Sequence, residues 1–168
     1  GSEMCIRDRS QAIREACTQF VATRTTEGEH LKQDLVEKLH HMRDNVDKVE
    51  QRAPQIIAEY RSKLMEKVNE LLGDTQIDEA RLSTEIVLFA DKICTDEETV
   101  RLKSHITSML NALERSEGIG RKLDFIAQEM NREANTILSK SNDLETSDIA
   151  IELKTEIEKV REQIQNIE

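Results

Sequence analysis

The chain has 168 residues, of which 37% are hydrophobic, 2% aromatic and 35% charged, with a formal net charge of −10. So few aromatics exclude base stacking as a main mode of recognition, and the acidic balance lacks the basic footprint of an ordinary nucleic-acid-binding domain. Five Gly, one Pro and no sustained apolar/polar alternation exclude a sheet-based fold and favour long amphipathic helices, each needing only a narrow apolar stripe.

Gly1-Ser2 reads as a cloning scar, and residues 1–10 as a scar or leader without functional weight. A first helix is predicted from about Gln11 to Arg52 on the stripe Leu31, Leu35, Leu39, Met42, Val46 and Val49, with Thr25 to Gly28 as a point of interruption. Pro54 then either opens a second helix from its first turn or kinks a continuous one. Ile57, Leu64, Val68 and Leu71 continue the pattern to Gly73, which is placed to end it. Residues 11–73 therefore read as a long antiparallel helical hairpin, and residues 74–168 as a C-terminal helical bundle. The expected fold class is all-α, an elongated bundle bearing that hairpin.

Asp78 is placed to cap a third helix, with Ile77 stapled against Leu82, running through Ile86, Phe89 and Ala90. Thr95-Asp96-Glu97-Glu98 has the spacing of a capping box and opens a helix through His105, Met109 and Leu113. Gly118-Ile119-Gly120 breaks the chain again. From Gly120 to Ser141, Leu123, Ile126, Ala127, Met130, Ala134 and Ile137 fall on one side of a helical wheel. Asp124, Gln128, Asn131 and Asn135 line one flank of this helix; Lys122, Glu129, Arg132, Glu133, Thr136 and Lys140 line the other. Asn is a poor helix former, because its side chain competes for backbone groups. Two mid-helix asparagines among charges of both signs suggest a surface selected for hydrogen bonding. After polar residues from Ser141 to Asp148, a last helix repeats Ala150, Leu153, Ile157, Val160, Ile164 and Ile167 at steps of three and four, the pattern of a packing seam.

Cys5, Cys17 and Cys94 show no CxxC spacing, so neither a disulfide framework nor a zinc ribbon is indicated and a reducing cytoplasm is the simplest home. No run is long and apolar enough to suggest a membrane span. No phosphate loop, HExxH or nucleophile elbow is present, and His40-His41 lies among charges. His105 can share a helical face with Glu98 and Arg101, as a metal ligand, a general base, or a histidine bonded to a neighbour. Glu129 and Glu133, four apart, with Asp124 just over a turn earlier, offer oxygens to a hard cation or belong to an interhelical salt-bridge network. Arg121, Lys122, Arg132 and Lys140 form the densest positive grouping beside the amides, fit for phosphate or simply a solvated face.

The stretches Gly120-Arg121-Lys122-Leu123-Asp124-Phe125, Gln128-Glu129-Met130-Asn131-Arg132-Glu133-Ala134-Asn135-Thr136 and Ser139-Lys140-Ser141 resemble the C-terminal signature of the YicC/YloC-like proteins, a bacterial family of metal-dependent endoribonucleases. Arg101-Leu102-Lys103-Ser104-His105 and the closing segment from Ile151 to Glu168 look like the same family, so the resemblance runs from about Phe20 to the end. Family members carry an additional N-terminal domain, so this chain resembles their C-terminal portion. The resemblance implies RNA hydrolysis in a homo-oligomeric ring with manganese or magnesium, with RNA as partner and neither DNA nor membrane. It brings His105, Glu129 and Glu133 forward as catalytic residues. Arg101, Arg121, Lys122, Arg132, Asn135 and Lys140 become the expected RNA contacts, and Glu98, His105, Asp124, Glu129 and Glu133 the expected metal ligands. Cys94 stands where relatives often carry a further acidic residue. The competing expectation is a non-catalytic helical module that oligomerises through the last helix.

Overall fold

The computed structural model describes residues 2–73, 76–115 and 120–166, and among them there are five α-helices and no strand. They are α1 (Ser2–Leu72), α2 (Glu79–Ile93), α3 (Asp96–Glu114), α4 (Gly120–Lys140) and α5 (Leu144–Gln165).

The first element is one helix of 71 residues with Pro54 inside it, about 105 Å long at 1.5 Å per residue. The expected interruption at Thr25 to Gly28 does not occur, and of the two expectations for Pro54 the continuous helix holds, not a new start. At Thr25 and Thr26 the hydroxyls bond back to the carbonyls of Val21 and Ala22, at 2.9 and 3.0 Å, so these residues sit in the helix without a competing turn. Pro54 has no N–H to give the Glu50 carbonyl, but contacts on both sides hold the path. Val49 is buried one turn before it, Arg52 is bound to α5, and Tyr60 stacks on Phe89 of α2 with ring centroids 3.7 Å apart. The antiparallel hairpin therefore turns at Gly73, in the left-handed region with φ 56°, and not at Pro54. Its arms are the end of α1 and α2.

The middle of α1 joins α3, α4 and α5 in a four-helix bundle. Contacts run α1 to α3, α3 to α4, α4 to α5 and α5 back to α1, so α1 and α4 sit on a diagonal. Ion pairs and hydrogen bonds fix the directions. Asp34 meets Gln163 at 2.5 Å and Arg52 meets Asp143 at 2.8 Å, so α1 and α5 are antiparallel. Arg43 reaches Thr107 at 2.7 Å while Lys103 reaches back to Asp47 at 2.6 Å, so α1 and α3 are antiparallel as well. One continuous core fills the bundle. It takes Leu35, Leu39, Met42, Val46 and Val49 from α1, and Leu102, Ile106 and Met109 from α3. The expected α4 stripe is buried whole, as are Ala150, Leu153, Ile157, Val160 and Ile164 of α5. Ile167, Gly118 and Ile119, which figured in the expected seam and break, lie outside the described residues.

The caps divide. Asp78 accepts from the Ala80 N–H at 3.1 Å, as its spacing predicts. Thr95 holds the N-cap position of α3 but its side chain makes no capping hydrogen bond, and the Glu98 carboxylate is bound by Lys140 instead. The last helix is capped by Asp143, which accepts from the backbone N–H and the hydroxyl of Thr146, each at 3.0 Å. Arg52 grips the same carboxylate. Its hydrogen bonds, with those of Thr146, hold the Asp143 carboxyl down to about 2.

Candidate functional site

The family-like segments of α3 and α4 meet along one antiparallel seam. Arg101 donates from Nε to Glu133 Oε1 at 3.0 Å, and Lys140 donates to Glu98 Oε1 at 3.0 Å. Going back along α3 thus goes forward along α4. Lys140 also donates to the Cys94 carbonyl at 3.1 Å, and Arg101 reaches Glu97 and Glu98 at 3.3 and 3.6 Å. Glu98 and Glu133 are 4% and 6% exposed, so both carboxylates sit inside the seam with a cation against them. The hydrogen bond that Arg101 donates to Glu133, and the charges around it, raise the Arg101 guanidinium further above its usual range. Glu98 Oε2 is enclosed and has no hydrogen-bond partner, so this buried group is only half satisfied.

His105 lies one helical turn after Arg101 on α3, and Glu129 one turn before Glu133 on α4. Both side chains are half-buried. His105 has no hydrogen-bonding or ion-pair partner among the described residues, and the only partner of Glu129 is the Arg132 of its own helix at 3.4 Å. Arg132 is 72% exposed at its side chain.

Several expected members fall elsewhere. Asp124 faces α5, where it accepts from Arg161 at 3.2 Å, and from Gln128 at 2.7 Å. Its position is about 140° around α4 from Glu129 at 100° per residue, so the five expected ligands do not converge. Arg121 and Lys122 are exposed at the start of α4, nearly a whole helix from Lys140. Asn135 is exposed on the outer face, where Gln128, Asn131, Arg132, Thr136 and Ser139 line one shallow polar groove. Cys94 is exposed at the end of α2 and not buried, since only its carbonyl is engaged, by Lys140.

Sequence reasoning missed one cluster. His41 of α1 meets Glu152 and Glu156 of α5, with one ligand atom from each within 4.8 Å of the others, the only such group of three among the described residues. The acidic pair is visible as an i,i+4 spacing, but nothing in the sequence places a histidine 115 residues away above it.

Among known proteins, residues 49–168 match the family described as endoribonuclease YicC-like, C-terminal. The chain is 42% identical over 160 residues to a probable endoribonuclease YicC from Clostridioides difficile, covering 95% of this chain and 55% of that protein. It is 36% identical over 162 residues to a probable endoribonuclease YicC from Haemophilus influenzae, covering 96% and 56% respectively. The chain thus spans a little over half the length of these relatives.

Proposed function

This chain belongs to the YicC-like endoribonuclease family through that family's C-terminal region, and on that premise we propose that it forms the C-terminal part of a cytoplasmic, divalent-metal-dependent endoribonuclease that hydrolyses RNA phosphodiester bonds. The observation that supports the site assignment is the α3–α4 register, which pairs Arg101 with Glu133 and Lys140 with Glu98; extended by one helical turn, it would bring His105 towards Glu129. In an acidic chain, RNA has to be held by local cations. Arg101 keeps 49% of its side chain exposed, and Arg132 72%, so both guanidinium groups remain open to phosphate. Glu133 fixes the Nε edge of Arg101 and so orients the rest of its fork. The amides of Gln128, Asn131 and Asn135 stand on the neighbouring outer face, where they suit ribose hydroxyls and base edges.

Glu98, Glu133 and Asp124 are bound to cations of the protein itself, and as ligands they do not fit a shared ion. Glu129 does fit as an oxygen ligand, with the His105 imidazole as the candidate general base. Manganese and magnesium take few protein ligands and complete their shells with water and substrate phosphate. Such an ion, when bound, supplies Lewis-acid polarisation of a phosphoryl oxygen. Homo-oligomerisation belongs to the same proposal. Exposed Leu71, Val87, Leu88 and Phe125, between 59% and 75% accessible, give the arm and α4 apolar contact points that also suit a purely structural module.

The deciding experiment uses a protein extended to the length of the relatives. Glu129→Gln should lower metal-dependent cleavage of a short RNA by about tenfold or more with unchanged melting. Gln keeps the shape and loses the charge. Arg132→Ala should weaken RNA binding and flatten its salt dependence. Cleavage by Glu129→Gln at the parental rate, with unchanged metal demand, makes this carboxylate structural and favours the structural module.

A further inference from the structure

We propose that His41, Glu152 and Glu156 form a divalent transition-metal site, of the zinc or cobalt class, that fastens the middle of α1 to α5. His41 Nδ1 lies 2.5 Å from Glu156 Oε1, and its Nε2 lies 3.9 Å from Glu152 Oε1. Glu152 and Glu156 are four apart on α5, so they stand one above the other on the same face. Taking one ring nitrogen of His41 and one oxygen from each carboxylate, the three ligand atoms lie within 4.8 Å of one another.

The charge arrangement here differs from that of the other ion pairs between bundle helices. In those pairs the carboxylate faces Lys or Arg: Glu50 has Lys103, Asp143 has Arg52, Glu133 has Arg101, Glu98 has Lys140 and Asp124 has Arg161. Among the described residues neither Glu152 nor Glu156 has a Lys or Arg within 4.0 Å, and His41 is the only basic group they meet. Two carboxylates side by side repel unless a cation joins them. A second observation points the same way. Glu156 is 16% exposed at its side chain, and its Oε2 is enclosed without any hydrogen-bond partner. A carboxylate oxygen withdrawn from water and left unmatched is costly. A bound cation compensates both.

The donor set selects the ion. One imidazole and two carboxylates suit zinc, cobalt or nickel, whereas magnesium and calcium prefer all-oxygen shells. Zinc bonds to nitrogen and oxygen are about 2.0–2.2 Å long, so an ion replaces the direct His41–Glu156 contact. His41 and Glu152 are 48% and 51% exposed and have room to re-aim, while Glu156 is held in place. The site lies between α1 and α5 and shares no residue with the α3–α4 seam.

The test is zinc titration of the intact chain followed by calorimetry and thermal melting. Cys5, Cys17 and Cys94 are exposed thiols that bind zinc themselves, so all three are first changed to Ser. The expected result is one ion per chain, with the midpoint raised by about 5 °C or more when free zinc is a hundredfold above Kd. His41→Ala and Glu156→Gln should each weaken binding at least tenfold. If Glu156→Gln fails to fold, the exposed Glu152→Gln takes its place. Magnesium at equal concentration should give no shift. Absent zinc binding, unchanged affinity in His41→Ala, or an equal response to magnesium overturns the assignment. No RNA enters the measurement, so its outcome is independent of the cleavage test.

Discussion

The four-helix bundle and the arm made by residues 53–72 with α2 share a single helix, yet they are held together differently. Within the bundle each apolar stripe meets two neighbouring helices and closes completely: Leu35, Leu39, Met42 and Val46 of α1 are all at 0% exposure. In the arm only two helices meet. Ile57, Leu64 and Val68 are half-buried, α2 has no buried residue, and Val87 and Leu88 stay 59% exposed. Two helices cannot enclose a stripe from all sides, so the arm relies on a stacked Tyr60–Phe89 pair and on the stiffness of α1. Similar spacing of Leu, Ile and Val therefore gives a core in one place and a ridge in the other. What differs is the number of partners.

The sharpest way to break this comparison is to put a charge on each side of it. Ile157→Asp buries an unpaired carboxylate in the bundle, where Ile157 is fully enclosed, and should cost on the order of several kcal/mol. Val87→Asp on the arm should change stability by no more than about 0.5 kcal/mol. Urea unfolding of the two variants measures both, and equal effects would erase the distinction. A smaller effect is expected at Pro54, which is exposed within α1. Pro54→Ala restores a hydrogen bond to the Glu50 carbonyl, so melting should show a gain of about 1–3 kcal/mol. A neutral or destabilising outcome would instead place a helix start there.

The subtlest test concerns pH. Asp143 joins α5 to the point where α1 leaves the bundle, and Arg52 there also binds Glu59, Gln55 and Glu145. The folded Asp143 carboxyl is held at about 2 against an ordinary value of 3.8. A depressed folded value means that its contribution is fully present above about pH 4 and is lost as pH falls towards 2. The Arg52 hydrogen bonds lower Glu59, and Lys38 together with Gln163 lowers Asp34, so these groups add to the same acid limb. Asp143→Asn keeps a good N-cap residue and loses the charge. Its unfolding free energy should therefore fall less steeply than the parent's between about pH 4 and pH 2, as denaturant titrations in that window will show.

Much of the fold was legible because helical periodicity is a local property. The α4 and α5 stripes can be read residue by residue, and Asp78 caps where its spacing says. Pro54 was not resolvable, since its local preference for a break competes with contacts from α2 and α5 that no window of sequence contains. The capping-box reading of Thr95 to Glu98 failed for a related reason. Glu98 fits the spacing, but Lys140, 42 residues away, offers its carboxylate a charged partner. The candidate site divides along the same line. That Glu129, Arg132 and Glu133 occupy one flank of a helix followed from counting. That Glu133 would be claimed by Arg101, and Asp124 by Arg161, did not.

The sequence by itself determined an all-helical chain, the faces that become its core, and its membership of a family, because each depends on residue type and spacing along the chain. Tertiary structure alone decided that α1 runs through Pro54, that Glu98 is buried, and that Arg101 claims Glu133 while His41 meets Glu152 and Glu156. Those outcomes depend on which helices pack side by side and in which direction. A carboxylate becomes a salt-bridge partner, an unmatched buried group or a ligand according to the helix opposite it.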